Sequence, residues 1–388
     1  MAGGWRAYLV IIALSAQGAV LTALVPPLLA AWGYPLATIG LLVAAQPVAA
    51  LLSRLPGGLL YGPMRARALL LGALLASLAA SLLHPVVASL PAFLAVRLLA
   101  GLAYGVATTV NLALFSERLE AGAARSRAMG YYTAGFAVGY SGGAVLAGYA
   151  ADWIGLGPAF GVAAGLGALS LLGVPPPTSR NSVAAPAPPL AWRAALHPRV
   201  LAVLVVCFCL FAHFAFWNAY LPLYALAVGL TLGDVGLIRG IFGLCQIAAR
   251  PASGAVVGRW GAGRLTLVGL LCQGAALLTV PLVSQLGPLL TLFLVMGTAR
   301  ALAVVANAVE LVESSEEAGV PRGLMSGLFN TAQDLGQLAG PAAGGLVAAA
   351  AGLPAAFMLC ATATTLAPVL VLALARGTRV LQRASPRP

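Results

Sequence analysis

Apolar residues run along this chain in long blocks, separated by short stretches where arginine, glycine and proline collect. The blocks extend over Ala7 to Ala31, Ala37 to Leu60, Ala68 to Leu83, Ala92 to Phe115, Ala128 to Tyr149 and Pro158 to Val174, and then over Val200 to Ala227, Val235 to Val257, Leu265 to Val283, Leu289 to Leu311, Leu324 to Ala350 and Ala355 to Ala375. None alternates with a period of two, and they are too long for barrel strands, so helices are predicted. A hydrocarbon layer about 30 Å thick is crossed by about 20 helical residues. The pattern therefore predicts an all-α membrane protein of twelve transmembrane helices. Residues 175–198, from Pro175, Pro176 and Pro177 through Arg180 to Pro186, Pro188, Pro189 and Arg193, cannot continue a helix. They read as a linker between a six-helix bundle at 1–174 and a second at 199–388.

Composition removes the soluble alternatives. With 61% hydrophobic and 8% charged residues, the chain lies far from the roughly one-quarter charged make-up of a globular domain. The net charge of +12 does not indicate nucleic acid, because no segment interleaves basic and aromatic residues. All 21 basic residues are arginine, and their placement gives orientation. One set of loops carries Arg65, Arg67, Arg118, Arg125, Arg127, Arg180, Arg193, Arg199, Arg259, Arg264 and Arg322, with Arg376, Arg379, Arg383 and Arg387 in a short basic tail; the alternate loops carry none. The positive-inside rule then puts both termini and the linker in the cytoplasm. The expected location is a plasma membrane, bacterial, with the protein a monomer in lipid. Cys207, Cys209, Cys245, Cys272 and Cys360 lie inside apolar blocks without metal or disulfide spacing. The first apolar block is too long for a signal-peptide core, so no cleavage is expected.

The chain also repeats itself. Pro26 and Pro222, Gly33 and Gly229, Gly40 and Gly236, Arg54 and Arg250, Gly58 and Gly254, Gly62 and Gly258, Gly101 and Gly297, and Asn111 and Asn307 are all 196 residues apart. From Gly122 and Gly319 onward the spacing is 197, as for Gly139 and Gly336, and for Gly143 and Gly340. Two six-span halves in the same orientation are parallel repeats, which predicts a solute site at their interface near the midplane.

Three local patterns resemble the major facilitator superfamily. Gly58 to Arg67 and Gly254 to Arg264 resemble its G-x-x-x-D-R-x-G-R-R loop, with Gly62 and Gly258 where the family has an acid. Arg97, Gly101 and Gly105 resemble its fourth-span pattern, and Gly336, Gly340, Pro341, Gly344 and Gly345 match G-x-x-x-G-P-x-x-G-G in span eleven. Small residues four apart let helices approach closely, so this last set is expected to form a seam that can rock. The resemblance covers nearly the whole chain. It implies transport by alternating access, with spans three, six, nine and twelve outside the cavity, and the missing acids leave the usual cytoplasmic latch in question.

Those four spans carry no charge, whereas Arg54, Arg97, His213, Arg239, Arg250, Arg300, Glu310 and Asp334 lie on the others. An ionised side chain facing lipid costs about 2.5 kcal/mol or more, so these should face the bundle interior. Arg54, Arg97, Arg239, Arg250 and Glu310 read as gating or structural residues. His213, Arg300 and Asp334 lie near mid-span and have no ionisable counterpart in the first half, where Gln17, Tyr104 and Ala137 stand. They are the binding or coupling candidates, and an Arg300–Asp334 ion pair with His213 as a proton site is the expected arrangement. Gln17, Gln46, Tyr104, Asn111, Trp217, Asn218, Gln246, Asn307 and Gln333 offer hydrogen bonding or stacking, or else serve as packing between helices.

Five span arginines against two span acids favour a small organic anion, moved with proton coupling. Arg250, Pro251 and Gly254 resemble monocarboxylate porters, although Gln246 stands where that family has an acid. The alternative is proton-coupled efflux of amphiphilic compounds, since Arg97 and the glycine seams resemble drug exporters. A non-transporting receptor on the same scaffold is the third reading. No nucleotide loop, metal cluster or catalytic triad pattern occurs, so neither cofactor nor enzymatic activity is expected.

Overall fold

The computed structural model describes residues 4–62, 65–117, 123–176, 196–320 and 322–384. The described chain is helical almost throughout: α1 (Gly4–Ala31), α2 (Leu36–Leu59), α3 (Ala66–Leu83), α4 (Leu90–Ser116), α5 (Ala123–Ile154), α6 (Leu156–Leu171), α7 (Pro198–Ala227), α8 (Leu232–Trp260), α9 (Ala262–Thr279) and α10 (Leu286–Ala318). The final stretch, Arg322–Ala384, is two helices joined at Gly352, whose φ of 84° only glycine adopts without strain. They are α11 (322–351) and α12 (353–384). Gly155, the repeat mate of Gly352, turns the chain between α5 and α6 in the same way, at φ 90°. Nine helical stretches among the described residues are long and apolar enough to cross a membrane, the last of them running through Gly352. Most of the expected linker, with Arg118, Arg180, Arg193 and Arg387, lies outside the described residues, as do the side chains of Arg125, Arg127, Arg322, Arg376, Arg379 and Arg383.

Equivalent glycines make equivalent contacts in the two halves. A Cβ at Gly139 would strike the Ile12 carbonyl and one at Gly336 the Phe208 carbonyl; Gly143 meets Ala16, and Gly340 meets Ala212. Likewise Gly101 faces Gln46 and Gly297 faces Phe242. Each partner is displaced by 196 residues, so the repeat in sequence is a repeat in packing. The span-eleven seam lies inside the second half, where Gly336 and Gly340 hold α11 against α7.

The joint between the halves lies elsewhere. α2 packs against α11 and α5 against α8. Gly40 has no room for a Cβ against the Pro341 carbonyl, and Gly345 approaches Gly40 and the Leu36 carbonyl. Gly148 abuts Leu232, Gly236 abuts Ala144, and Gly240 abuts Val145. All these approaches occur at the end away from the arginine-rich loops. One buried core spans both halves there, including Leu24, Leu28 and Ile39 from the first and Trp217, Tyr220, Ile238 and Phe293 from the second. Towards the arginine end the buried clusters among the described residues divide by half, with Val10, Leu14, Leu70 and Val110 in one and Val200, Val203, Leu311 and Val320 in another. Among the described residues, buried packing shared by the two halves is therefore concentrated at the arginine-free end.

The arginine-free end has a polar clasp as well. Asp152 at the end of α5 accepts from the backbone N–H of Leu232 (3.1 Å) and Gly233 (2.8 Å) at the start of α8. A carboxylate is favoured there because a helix N-terminus presents unpaired N–H groups and a positive dipole. Thr231 and Asp234 form a capping box on the same turn.

Candidate functional site between the halves

Asp334 on α11 meets Arg54 on α2, with 3.1 Å between Oδ2 and Nη1. The contact crosses the two halves. Asp334 is 3% exposed and Arg54 33%, so the arginine side of the pair is the wetter. Oδ2 makes no aligned hydrogen bond, which leaves the attraction essentially ionic. This overturns the expected Arg300–Asp334 pair. The repeat explains the asymmetry: the mates of Arg54 and Asp334 are Arg250 and Ala137, so the second copy of the arginine has no acid opposite and instead donates to Gln246 on its own helix at 3.5 Å.

Arg300 on α10 is buried. Its Nη1 donates to the Leu210 carbonyl of α7 at 2.5 Å, and its guanidinium carbon lies 4.8 Å from the ring centre of Phe211 and 4.5 Å from that of Phe214. Cation–π contact with two rings offsets part of the cost of holding this charge in the membrane. No carboxylate among the described residues pairs with it. Arg97 Nη1 and Arg239 Nε and Nη1 are sealed from water without partners, whereas no nitrogen of Arg300 is. The N–H groups of Arg300 not spent on Leu210 therefore keep a small accessible surface.

The other candidates divide clearly. Tyr104, the mate of Arg300, is half-buried against Gly18 of α1 and within electrostatic reach of Arg54 and Asp334. Gln333 and Gln246 are half-buried beside Asp334 and Arg250, and Gln46 is half-buried on α2. Asn218 accepts from the Tyr140 hydroxyl of the other half at 3.1 Å, and its carbonyl is held by Arg239. Asn218 therefore belongs to the interface. Arg97 donates to the carbonyls of Leu42 (3.1 Å) and Val43 (3.0 Å), tying α4 to α2 within one half.

Several other candidates pack against helices of their own half. Gln17 is turned to α3, where it bonds the Ser77 carbonyl (3.1 Å) and Ser81 Oγ (2.8 Å) and accepts from Ser77 Oγ. Asn111 bonds the Ala7 carbonyl and the Tyr132 hydroxyl. His213 points at Thr364 of α12, 3.1 Å from its Nδ1, within its own half. Trp217 is sealed among Phe214, Phe242 and Phe293. Asn307 is buried on α10, and Glu310, half-buried, lies ten residues past Arg300, about 15 Å along the helix. Gly62, Gly254 and Gly258 have open space around them, and Gly58 nearly so, so packing does not explain those glycines. The Pro341 carbonyl accepts from Tyr220 at 2.7 Å. Phe211, Phe214, Tyr140 and Asp152 are the interface residues that sequence reasoning missed. No cluster of histidine, cysteine or acid suited to a metal occurs among the described residues.

The sequence pattern of the Major Facilitator Superfamily matches residues 7–321. The chain belongs to that superfamily. It is a membrane transporter rather than an enzyme. No curated protein matches it in sequence. Among solved structures, a single-residue variant of the nucleoside transporter NupG aligns with a TM-score of 0.79 at 14% identity, over 95% of this chain and 98% of that one. Unaltered NupG gives 0.74 at 13%, over 96% and 99%. The human organic anion transporter MFSD10 (TETRAN) gives 0.61 at 20%, over 95% and 98%. At these identities the likeness is one of fold: superfamily members share the two-bundle frame, and the chemistry of the cavity has to be read from its own residues.

Proposed function

We propose that this transporter moves a small organic anion by alternating access, with transport coupled to protons through Asp334. The bundles 1–174 and 199–388 rock about the glycine seams, and the arginine end faces the cytoplasm. The observation that carries the anion reading is Arg300: a mid-span guanidinium with no acid partner among the described residues and with N–H groups that are not sealed away. An unpaired charge there is costly, and a ligand carboxylate is the natural partner because it meets the planar fork with two charge-assisted hydrogen bonds. Arg250 adds positive potential nearby, since its mate's acid has no counterpart in the repeat.

Proton coupling rests on Arg54 and Asp334. Their ion pair bridges the halves, in a chain whose family latch positions are Gly62 and Gly258. Protonation of Asp334 removes the attraction and lets α2 and α11 separate, so the charge state of one carboxyl biases which end is open. Binding measurements on purified protein test the anion site. Arg300→Ala should abolish binding of organic carboxylates, and Arg300→Lys should restore only part of it because the fork geometry is lost. Unchanged carboxylate affinity in Arg300→Ala would remove the basis of the reading.

A further inference from the structure

The surroundings of Arg300 restrict the kind of anion. The rings of Phe211 and Phe214 lie 4.8 and 4.5 Å from the guanidinium carbon, and the N–H groups not bonded to Leu210 can meet the two oxygens of a carboxylate. Arg54 is committed to Asp334, whereas Arg250 meets the neutral Gln246, at 3.5 Å.

From Phe214 an aromatic surface continues into the other half. The Tyr140 ring lies 6.0 Å from that of Phe214, and the Phe136 ring lies 6.2 Å from that of Tyr140, nearly parallel at 14°. Tyr140 is anchored by its hydroxyl to Asn218, so its ring is positioned by its edge and its face is left for contact. Phe136 keeps 37% of its surface exposed. Phe136 and Tyr140 come from α5, and Phe211 and Phe214 from α7. A ligand lying along these rings would touch both halves at once, which is what a solute must do to bias their relative positions.

We propose that the site takes an aromatic carboxylate, with its carboxylate on Arg300 and its ring laid along Phe136, Tyr140 and Phe214. This inference rests on the anion reading above and narrows it. Ring stacking and the burial of one ring's apolar surface together favour an aromatic acid over a methyl-bearing one by about ten- to hundredfold.

The test is equilibrium binding of benzoate, acetate and benzylamine to the full-length protein in nanodiscs, with wild type, Arg300→Ala and Phe214→Leu. Benzoate should bind about ten- to hundredfold more tightly than acetate, with benzylamine not competing. Phe214→Leu should lower benzoate affinity several-fold more than acetate affinity, and Arg300→Ala should abolish benzoate binding. Should Phe214→Leu fail to fold, Phe136→Leu on the exposed face of α5 carries the same comparison. If acetate equals benzoate and both depend on Arg300, the aromatic assignment is wrong and the anion reading stands. If benzoate binding is absent in wild type, or survives Arg300→Ala intact, both fail.

Discussion

Asp152→Ala tests whether the arginine-free end is held by specific contacts between the halves. The carboxylate accepts two backbone N–H groups at the start of α8, at 3.1 and 2.8 Å. A hydrogen bond to a charged group contributes about 1.5–3 kcal/mol, and a carboxylate at a helix N-terminus about 0.3–1 kcal/mol when exposed. Asp152 is exposed, so solvent screening brings the total to the low end, about 1–3 kcal/mol. That corresponds to a shift of about 5- to 150-fold towards the state open at this end. The assay is the distance between spin labels at Val86 and Leu282, both 72% exposed and repeat mates on loops of the arginine-free end, in a background with the five cysteines replaced. Asp152→Ala should enlarge the long-distance population. Asp234→Ala is the control, because Asp234 caps its own helix within one half and its loss should weaken α8 without moving the label pair. Identical distance distributions for wild type and Asp152→Ala would refute the claim that this clasp helps hold the end shut.

Gly40→Ala should shift the same label pair in the same direction, since a Cβ there meets the Pro341 carbonyl and lies 3.1 Å from the Gly345 Cα; overpacking of this kind costs about 1–3 kcal/mol. Gly72→Ala, with open space around it, should leave the distances unchanged. Gln17→Leu should lower thermal stability by about 1–2 kcal/mol through loss of its bonds to Ser77 and Ser81, with carboxylate affinity as in wild type; a selective loss of binding would return Gln17 to the site. Cysteines introduced at Gly33 and Gly229 should react with an impermeant reagent added outside cells and one at Leu196 should not, the reverse pattern inverting the orientation.

The frame was legible because it follows from local rules. Block length specified the helices, and the repeat of 196 and then 197 foretold contacts such as Gly139 on Ile12 and Gly336 on Phe208, including the glycine turn at Gly352. What the repeat describes is how each half packs internally. It carries no information on how the halves dock, and the misread residues are those whose neighbours come from docking or from which way a helix is turned. Asp334 finds Arg54 because α11 lies on α2 across the joint. Gln17 and His213 occupy mid-span positions like Arg300, yet face α3 and α12. Phe211 and Phe214 were legible as one helix face three residues apart, but aromatic residues at that spacing read as ordinary packing until a buried arginine is seen between them. Asp152 had a quieter signal: with Asp234 it is one of two acids in the arginine-free loops.

Solute flux in proteoliposomes is the most direct test of an anion transporter gated by Asp334. With benzoate outside and an inside-alkaline pH gradient, the wild type should accumulate the anion above its equilibrium level, and Asp334→Asn should exchange it across the membrane without accumulation. Flux of lipophilic cations against an opposing proton movement, with carboxylates not carried, would contradict the account and establish the efflux alternative.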